Sequence, residues 1–157
     1  MKIVLLAVGK TSSDYIRTGI NVYADRIPHY IPFEIKELPD IRSTRNLDSE
    51  RQKEMEGKII LKEIANADHL CLLDERGSEF TSRQFSEFIS NKMVTLPSRL
   101  VFVIGGPYGF SREVYSRANS KISFSKMTFS HEMIRLFATE QIYRAMTILR
   151  GEPYHHD

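Results

Sequence analysis

Five short apolar runs, spaced along the chain with helical stretches between them, constrain its fold more than any other feature. Residues 3–8, 33–38, 70–73 and 100–104 are strand-length and rich in aliphatic and aromatic side chains, and residues 122–124 repeat the pattern more weakly. Strands that alternate with helical periodicity predict an α/β fold, with a mostly parallel sheet and helices flanking it. After the capping candidates Ser13 and Asp14, Ile16, Ile20, Tyr23 and Ile27 recur at helical intervals. A second helix is expected to start at Asp48 or Ser49, where Ser49 and Gln52 have capping-box spacing, and to bury Met55, Ile59 and Ile64. A third follows Thr81 and Ser82 and buries Phe85, Phe88 and Ile89, and a short one follows Ser111. The last runs from about 130 to 150 with Ile134, Phe137, Ala138, Ile142, Ala145 and Leu149 on one face and Gly151 as its stop.

A chain of 157 residues is long enough for one core, so residues 1–157 are read as a single domain, with 39–46 as a connection inside it. Hydrophobic residues at 41% and charged residues at 27% give the balance of a soluble globular protein. No apolar run approaches the ~20 residues of a membrane span, and the opening segment reads as a strand rather than a signal peptide. Cys71 lies within an apolar run and has no cysteine partner, which makes it core filling and fits a reducing cytoplasm. Histidines at ligand spacing are absent apart from the adjacent His155 and His156, so no metal is expected. A net charge of +2 permits nucleic-acid binding without arguing for it.

In a parallel sheet the ligand site lies beyond the carboxyl ends of the strands, which directs attention to the segments after Leu73, Ile104 and Phe124. The stretch Gly105-Gly106-Pro107-Tyr108-Gly109 has neither dinucleotide-fold nor P-loop glycine spacing. Glycines let backbone groups approach a ligand closely, yet an ordinary strand-to-helix turn would use the same residues. Taken alone, the loop leaves both readings open.

Together the motifs are more specific. Leu73-Asp74-x-x-Gly77, Ile104-Gly105-Gly106-Pro107-x-Gly109, Ser125-x-x-Thr128-x-x-His131-x-x-x-Arg135 and Glu140-Gln141-x-Tyr143-Arg144-Ala145, ending in Pro153-Tyr154-His155-His156, resemble the large-subunit ribosomal RNA methyltransferase H family. That family is a branch of the SPOUT superfamily, and the resemblance spans essentially the whole chain. It implies a C-terminal trefoil knot, where general rules of chain topology favour an unknotted sheet. It further implies S-adenosylmethionine bound in the loops of the knot, a homodimer with the site at the subunit interface, and methylation of pseudouridine N3 in large-subunit RNA of the assembled ribosome.

Carried onto this chain, the resemblance places the methyl donor against Leu73, Gly105 and the segment Phe124, Ser125, Lys126, Met127, Thr128 and Phe129. His131 and Arg135 lie on one face at the start of the last helix, beside that segment. Arg144 stands one turn after Glu140; a surface ion pair is its bland reading and an active-site role the one the family favours. Tyr154 is the candidate for stacking on the target base, and His155 for handling the N3 proton. Since these residues follow Gly151, their removal is expected to cost little stability. The alternative to an enzyme is a non-catalytic ribosome-associated module that keeps the fold. A flavin- or phosphate-binding α/β domain is what fold reasoning alone would offer.

Overall fold

Successive side chains of a strand point to opposite faces, and β1 (Lys2–Val8) is apolar on both. Ile3, Leu5 and Ala7 enter one core cluster while Val4, Leu6 and Val8 enter another. A strand buried on both faces belongs inside a parallel sheet covered by helices on each side. The computed structural model, which describes residues 1–41 and 47–156, has that arrangement. Part of the expected 39–46 connection, residues 42–46, lies outside the described residues, as does Asp157.

β2 (Phe33–Leu38), β3 (His69–Glu79), β4 (Arg99–Ile104) and β5 (Ser120–Ser123) join β1 in the order β2-β1-β4-β3-β5, every neighbouring pair parallel. On one face α1 (Asp14–Ala24), α3 (Ser82–Thr95) and α5 (Met133–Leu149) enclose Ile16, Ile20, Phe85, Ile89, Ala138, Ile142 and Met146 with the sheet. On the other, α2 (Ser49–Lys62) and α4 (Arg112–Arg117) enclose Ile60, Val114 and Phe110. Ile27, expected on the first helix, is buried in a separate 3-10 turn, Ile27–His29.

Several expectations need correction. The cap of α2 is Asp48, whose carboxylate accepts from Arg51 N–H at 2.7 Å, and Ser49 is already helical. The helix accordingly buries Gln52, Glu56, Gly57 and Ile60 rather than Met55, Ile59 and Ile64; Met55 is exposed, and the two isoleucines pack only at the cluster's margin. The reason is a close approach: a Cβ on Gly57 would stand 3.1 Å from the Ser111 Cβ and 3.2 Å from the Val114 side chain, so this face presses its glycine onto α4. In α5, Phe137 and Leu149 are partly exposed, and Tyr143, Met146, Thr139 and Arg135 are buried instead, because α1 and α3 both pack on this helix and widen its buried face. Within α3, Thr81 and Gln84 form the capping box, and Phe88 is only partly buried. Cys71 is buried in the core, and burial pushes its thiol up to about 12, as filling rather than as a nucleophile.

β3 does not end at Leu73. Both Leu73 and Ser78 pair with Ile122, so residues 74–77 are looped out of the ladder before the strand resumes. Gly77 makes this possible, since a Cβ there would meet the Ile122 backbone nitrogen at 2.6 Å. The bulge lifts Asp74, Glu75 and Arg76 over the carboxyl rim of the sheet.

Candidate active site

Because all five strands are parallel, their carboxyl ends share one rim, and the segments leaving β3, β4 and β5 meet there. After β4 the chain turns within Gly106 to Gly109: Gly109 N–H donates to Gly106 O at 3.2 Å, and Gly109 takes φ +83°, a conformation that favours glycine. After β5, Ser123 Oγ donates to Ser125 O at 2.9 Å and Met127 N–H donates to Ser125 Oγ at 2.9 Å, which shapes the segment into a tight loop. Just before α5, Ser130 Oγ accepts at 3.1 Å from the N–H of Met133, the first residue of the helix.

These loops enclose a cavity of about 450 Å³. Leu73, Gly105, Phe124, Ser125, Met127, Thr128 and Phe129 all line it, and Lys126, of the same loop, does not. Its apolar part comes from Leu73, Ile104, Ile122, Phe124 and Ile134; Lys53, Asp74, Glu75 and Arg76 supply charge. Tyr115 lines the cavity as well and donates its hydroxyl to Asp74, tying α4 to the bulge. Burial, with that carboxylate, pushes the Tyr115 hydroxyl up to about 12. Met127 and Tyr108 lie exposed among the lining residues.

The candidate catalytic residues divide between three places. His131 lines the cavity. Arg135 does not; it is 2% exposed, and its guanidinium donates to Val8 O at 2.7 Å, Gly9 O at 2.8 Å, Thr11 Oγ1 at 3.0 Å and His131 O at 3.1 Å. Glu37 stands 3.7 Å away as its counter-charge. With its donors engaged by backbone and side-chain oxygens, Arg135 clamps the start of α5 to the end of β1. Next to it, Glu132 accepts from Ser13 N–H at 3.1 Å and Ser13 Oγ at 2.8 Å and from the Ser12 N–H, which hold its carboxyl down to about 2.

Arg144, Tyr154 and His155 form the third group, and none of them lines the cavity of the same chain. Gly151, at φ +66°, turns the chain out of α5, and Glu152 N–H closes back on Thr147 O at 3.0 Å. Tyr154 then folds against the helix. Its hydroxyl donates to Glu140 Oε1 at 2.9 Å, its ring meets Tyr143 edge-on at 4.8 Å, and the Arg144 guanidinium lies 4.7 Å over it. Burial foremost, then hydrogen bonds with Tyr23 and Glu140, raises its hydroxyl well above the ordinary range. Arg144 also donates to Glu140 at 2.5 Å, which raises its own pKa. Arg144 Nη1 lies 3.2 Å from His155 Nδ1, and since arginine can only donate, Nδ1 accepts in this contact. The expectation that the tail costs little stability is therefore corrected: Tyr154 packs on the main core cluster.

Lys53, Tyr115 and Ile134 were not legible as site residues. Lys53 comes from a helix formed far upstream, and Tyr115 from a helix of six residues without a motif. Ile134, on the helix face expected to be core, both packs against the core cluster and lines the cavity.

A sheet of this order with a cavity over its carboxyl rim has counterparts of known sequence and structure. Residues 1–155 match the family described as "Predicted SPOUT methyltransferase". The chain belongs to the SPOUT methyltransferase family. Among its relatives, the ribosomal RNA large subunit methyltransferase H of Parabacteroides distasonis is 59% identical over 157 residues, covering 100% of both chains. The protein of the same name from Christiangramia forsetii is 56% identical over 156 residues, covering 99% of each. A probable methylase family protein from Haemophilus influenzae has a similar fold, with TM-score 0.52 at 12% identity over 95% of this chain and 66% of that one.

Proposed function

We propose that this protein methylates large-subunit ribosomal RNA at N3 of a pseudouridine within the assembled ribosome, with S-adenosylmethionine as donor, and that it works as a knotted homodimer in the cytoplasm. The observation that carries this reading is the cavity of about 450 Å³ walled by the segments that leave β3, β4 and β5. The residues present suit such a donor. The apolar walls at Leu73, Ile104 and Phe124 accommodate an adenine ring, the glycine turn offers backbone groups to its polar edge, and Asp74 and Glu75 complement a cationic ligand. When bound, S-adenosylmethionine supplies a sulfonium methyl open to in-line attack.

The chain's own task is then to present the base and remove its proton. Tyr154 offers a ring face held in place by Tyr143, Glu140 and Arg144. His155, whose Nδ1 faces the Arg144 guanidinium, is the imidazole available to assist loss of the N3 proton, which makes the nitrogen nucleophilic. The bound donor would supply the methyl group, and the chain's own contribution would be to position the base and take its proton, with no covalent enzyme intermediate required. Because Arg144, Tyr154 and His155 do not reach the cavity of their own chain, a second copy supplying that tail across a dimer interface completes the site. Transfer of a labelled methyl group from S-adenosylmethionine to ribosomes, located at a pseudouridine by mass spectrometry, tests the reading. Absence of transfer to ribosomes that lack the modification refutes it.

A further inference from the structure

The glycine turn that walls the cavity rests on a buried acid. Glu56, on α2, is 4% exposed, and a Cβ built on Gly106 would stand 2.6 Å from its Oε1 and 2.7 Å from its carboxyl carbon. Oε1 accepts from Gln52 Nε2 at 3.1 Å. Oε2 is, among the described residues, the one buried side-chain polar atom without a hydrogen-bond partner. Burying an ionised carboxylate with a single hydrogen bond, from Gln52, carries a larger desolvation cost than burying the protonated form. Burial foremost, with the charge of Asp40 added, pushes the Glu56 carboxyl above the usual range, in agreement with that geometry.

We propose that Glu56 is a positioning residue: a buried carboxyl that fills the space where a side chain on Gly106 would lie and thereby seats the turn from Gly105 to Gly109 against which the methyl donor binds. The proposal rests on the reading of this cavity as the donor site. It explains why an acid occupies the buried face of α2 where sequence periodicity points to Met55 and Ile59. It also separates the two adjacent glycines, since a Cβ on Gly105 would instead meet the Phe110 ring, at 3.0 Å.

The test compares Glu56→Gln, which keeps the shape without an ionisable group, with Glu56→Ala, which empties the seat. Hydrogen exchange of the amides from Gly105 to Phe110 is read without any ligand, and S-adenosylmethionine affinity is read by calorimetry. Glu56→Ala is expected to speed exchange in this segment and weaken binding, each about tenfold, with Glu56→Gln within about threefold of wild type on both. Gly106→Ala, which pushes a methyl group into the carboxyl, is expected to weaken binding about tenfold, and combining it with Glu56→Ala to recover most of that loss. The recovery distinguishes a seat from general stabilisation and stays informative if one single variant folds poorly. Glu56→Gln behaving like Glu56→Ala would show that charge rather than shape matters, and would overturn the proposal, as would wild-type exchange in Glu56→Ala. Wild-type protein that binds no S-adenosylmethionine while the exchange pattern holds would overturn the donor reading alone.

Discussion

Deleting residues 153–157 separates the tail's contribution to stability from its contribution to chemistry. Tyr154 is half-buried and makes a hydrogen bond to the Glu140 carboxylate, an edge-on ring contact with Tyr143 and a stacked contact with Arg144. A hydrogen bond to a charged group contributes about 1.5–3 kcal/mol, an aromatic pair about 0.5–1.5 and an exposed cation–π contact about 0.5–1. Partial exposure and shared partners favour the lower ends, so the deletion is expected to cost roughly 2–4 kcal/mol. At about 2–4 °C per kcal/mol for a domain of this size, melting should fall by roughly 5–15 °C, and Tyr154→Phe, which loses only the hydrogen bond, by roughly 3–6 °C. Scanning calorimetry measures both. Isothermal calorimetry on the truncated protein should still detect S-adenosylmethionine, because the cavity is lined entirely by residues up to Ile134. Methyl transfer to ribosomes should be lost, since misplacing a reacting group by ~1 Å can cost ~100-fold in rate. A truncated protein that melts like wild type would refute the packing argument, and one that methylates at full rate would refute the role given to Tyr154 and His155.

Gly105→Val should weaken donor binding about tenfold or more with the fold retained, because its Cβ meets the Phe110 ring at 3.0 Å and Gly109 O at 3.4 Å and must displace the turn; circular dichroism and calorimetry check the two halves. His69, held down to about 4 by burial and the charges of Lys92 and Arg117, gives a pH signature. Its folded pKa lies below the ordinary 6.5, so the unfolded chain takes up the proton first; the stability from the neutral imidazole is full above 6.5 and is lost as pH falls towards 4. Melting curves of His69→Gln should lack that part of the acid-side decline, and an unchanged slope would count against the burial argument. A variant made monomeric by interface substitution, verified by sedimentation, should bind the donor and fail to transfer methyl groups; an active monomer would show that one chain completes the site.

The order of elements and the loops that line the cavity were legible in the sequence because they depend on local physics. The apolar runs at residues 3–8 and 100–104, the helix start at Thr81 and Ser82, and the stop at Gly151 are properties of a few neighbouring residues, and the structure places them accordingly. The likeness of four motifs to one family was equally legible, since it needs only residue types in order. Tertiary structure alone decided which faces met. α2 turns Gln52 and Glu56 inward because Gly57 must approach Ser111 and Val114, a constraint set by a helix more than fifty residues away. β3 continues to Glu79 because Ile122 can pair on both sides of the bulge, which no local pattern in residues 70–79 announces. Arg135 is the sharpest case: its spacing from His131 suits a solvated or catalytic face equally, and only the carbonyl oxygens of Val8 and Gly9, brought there by β1, make it a buried clamp. Contacts between residues remote in sequence are set by packing the whole chain at once, so a pattern read along a single element cannot contain them.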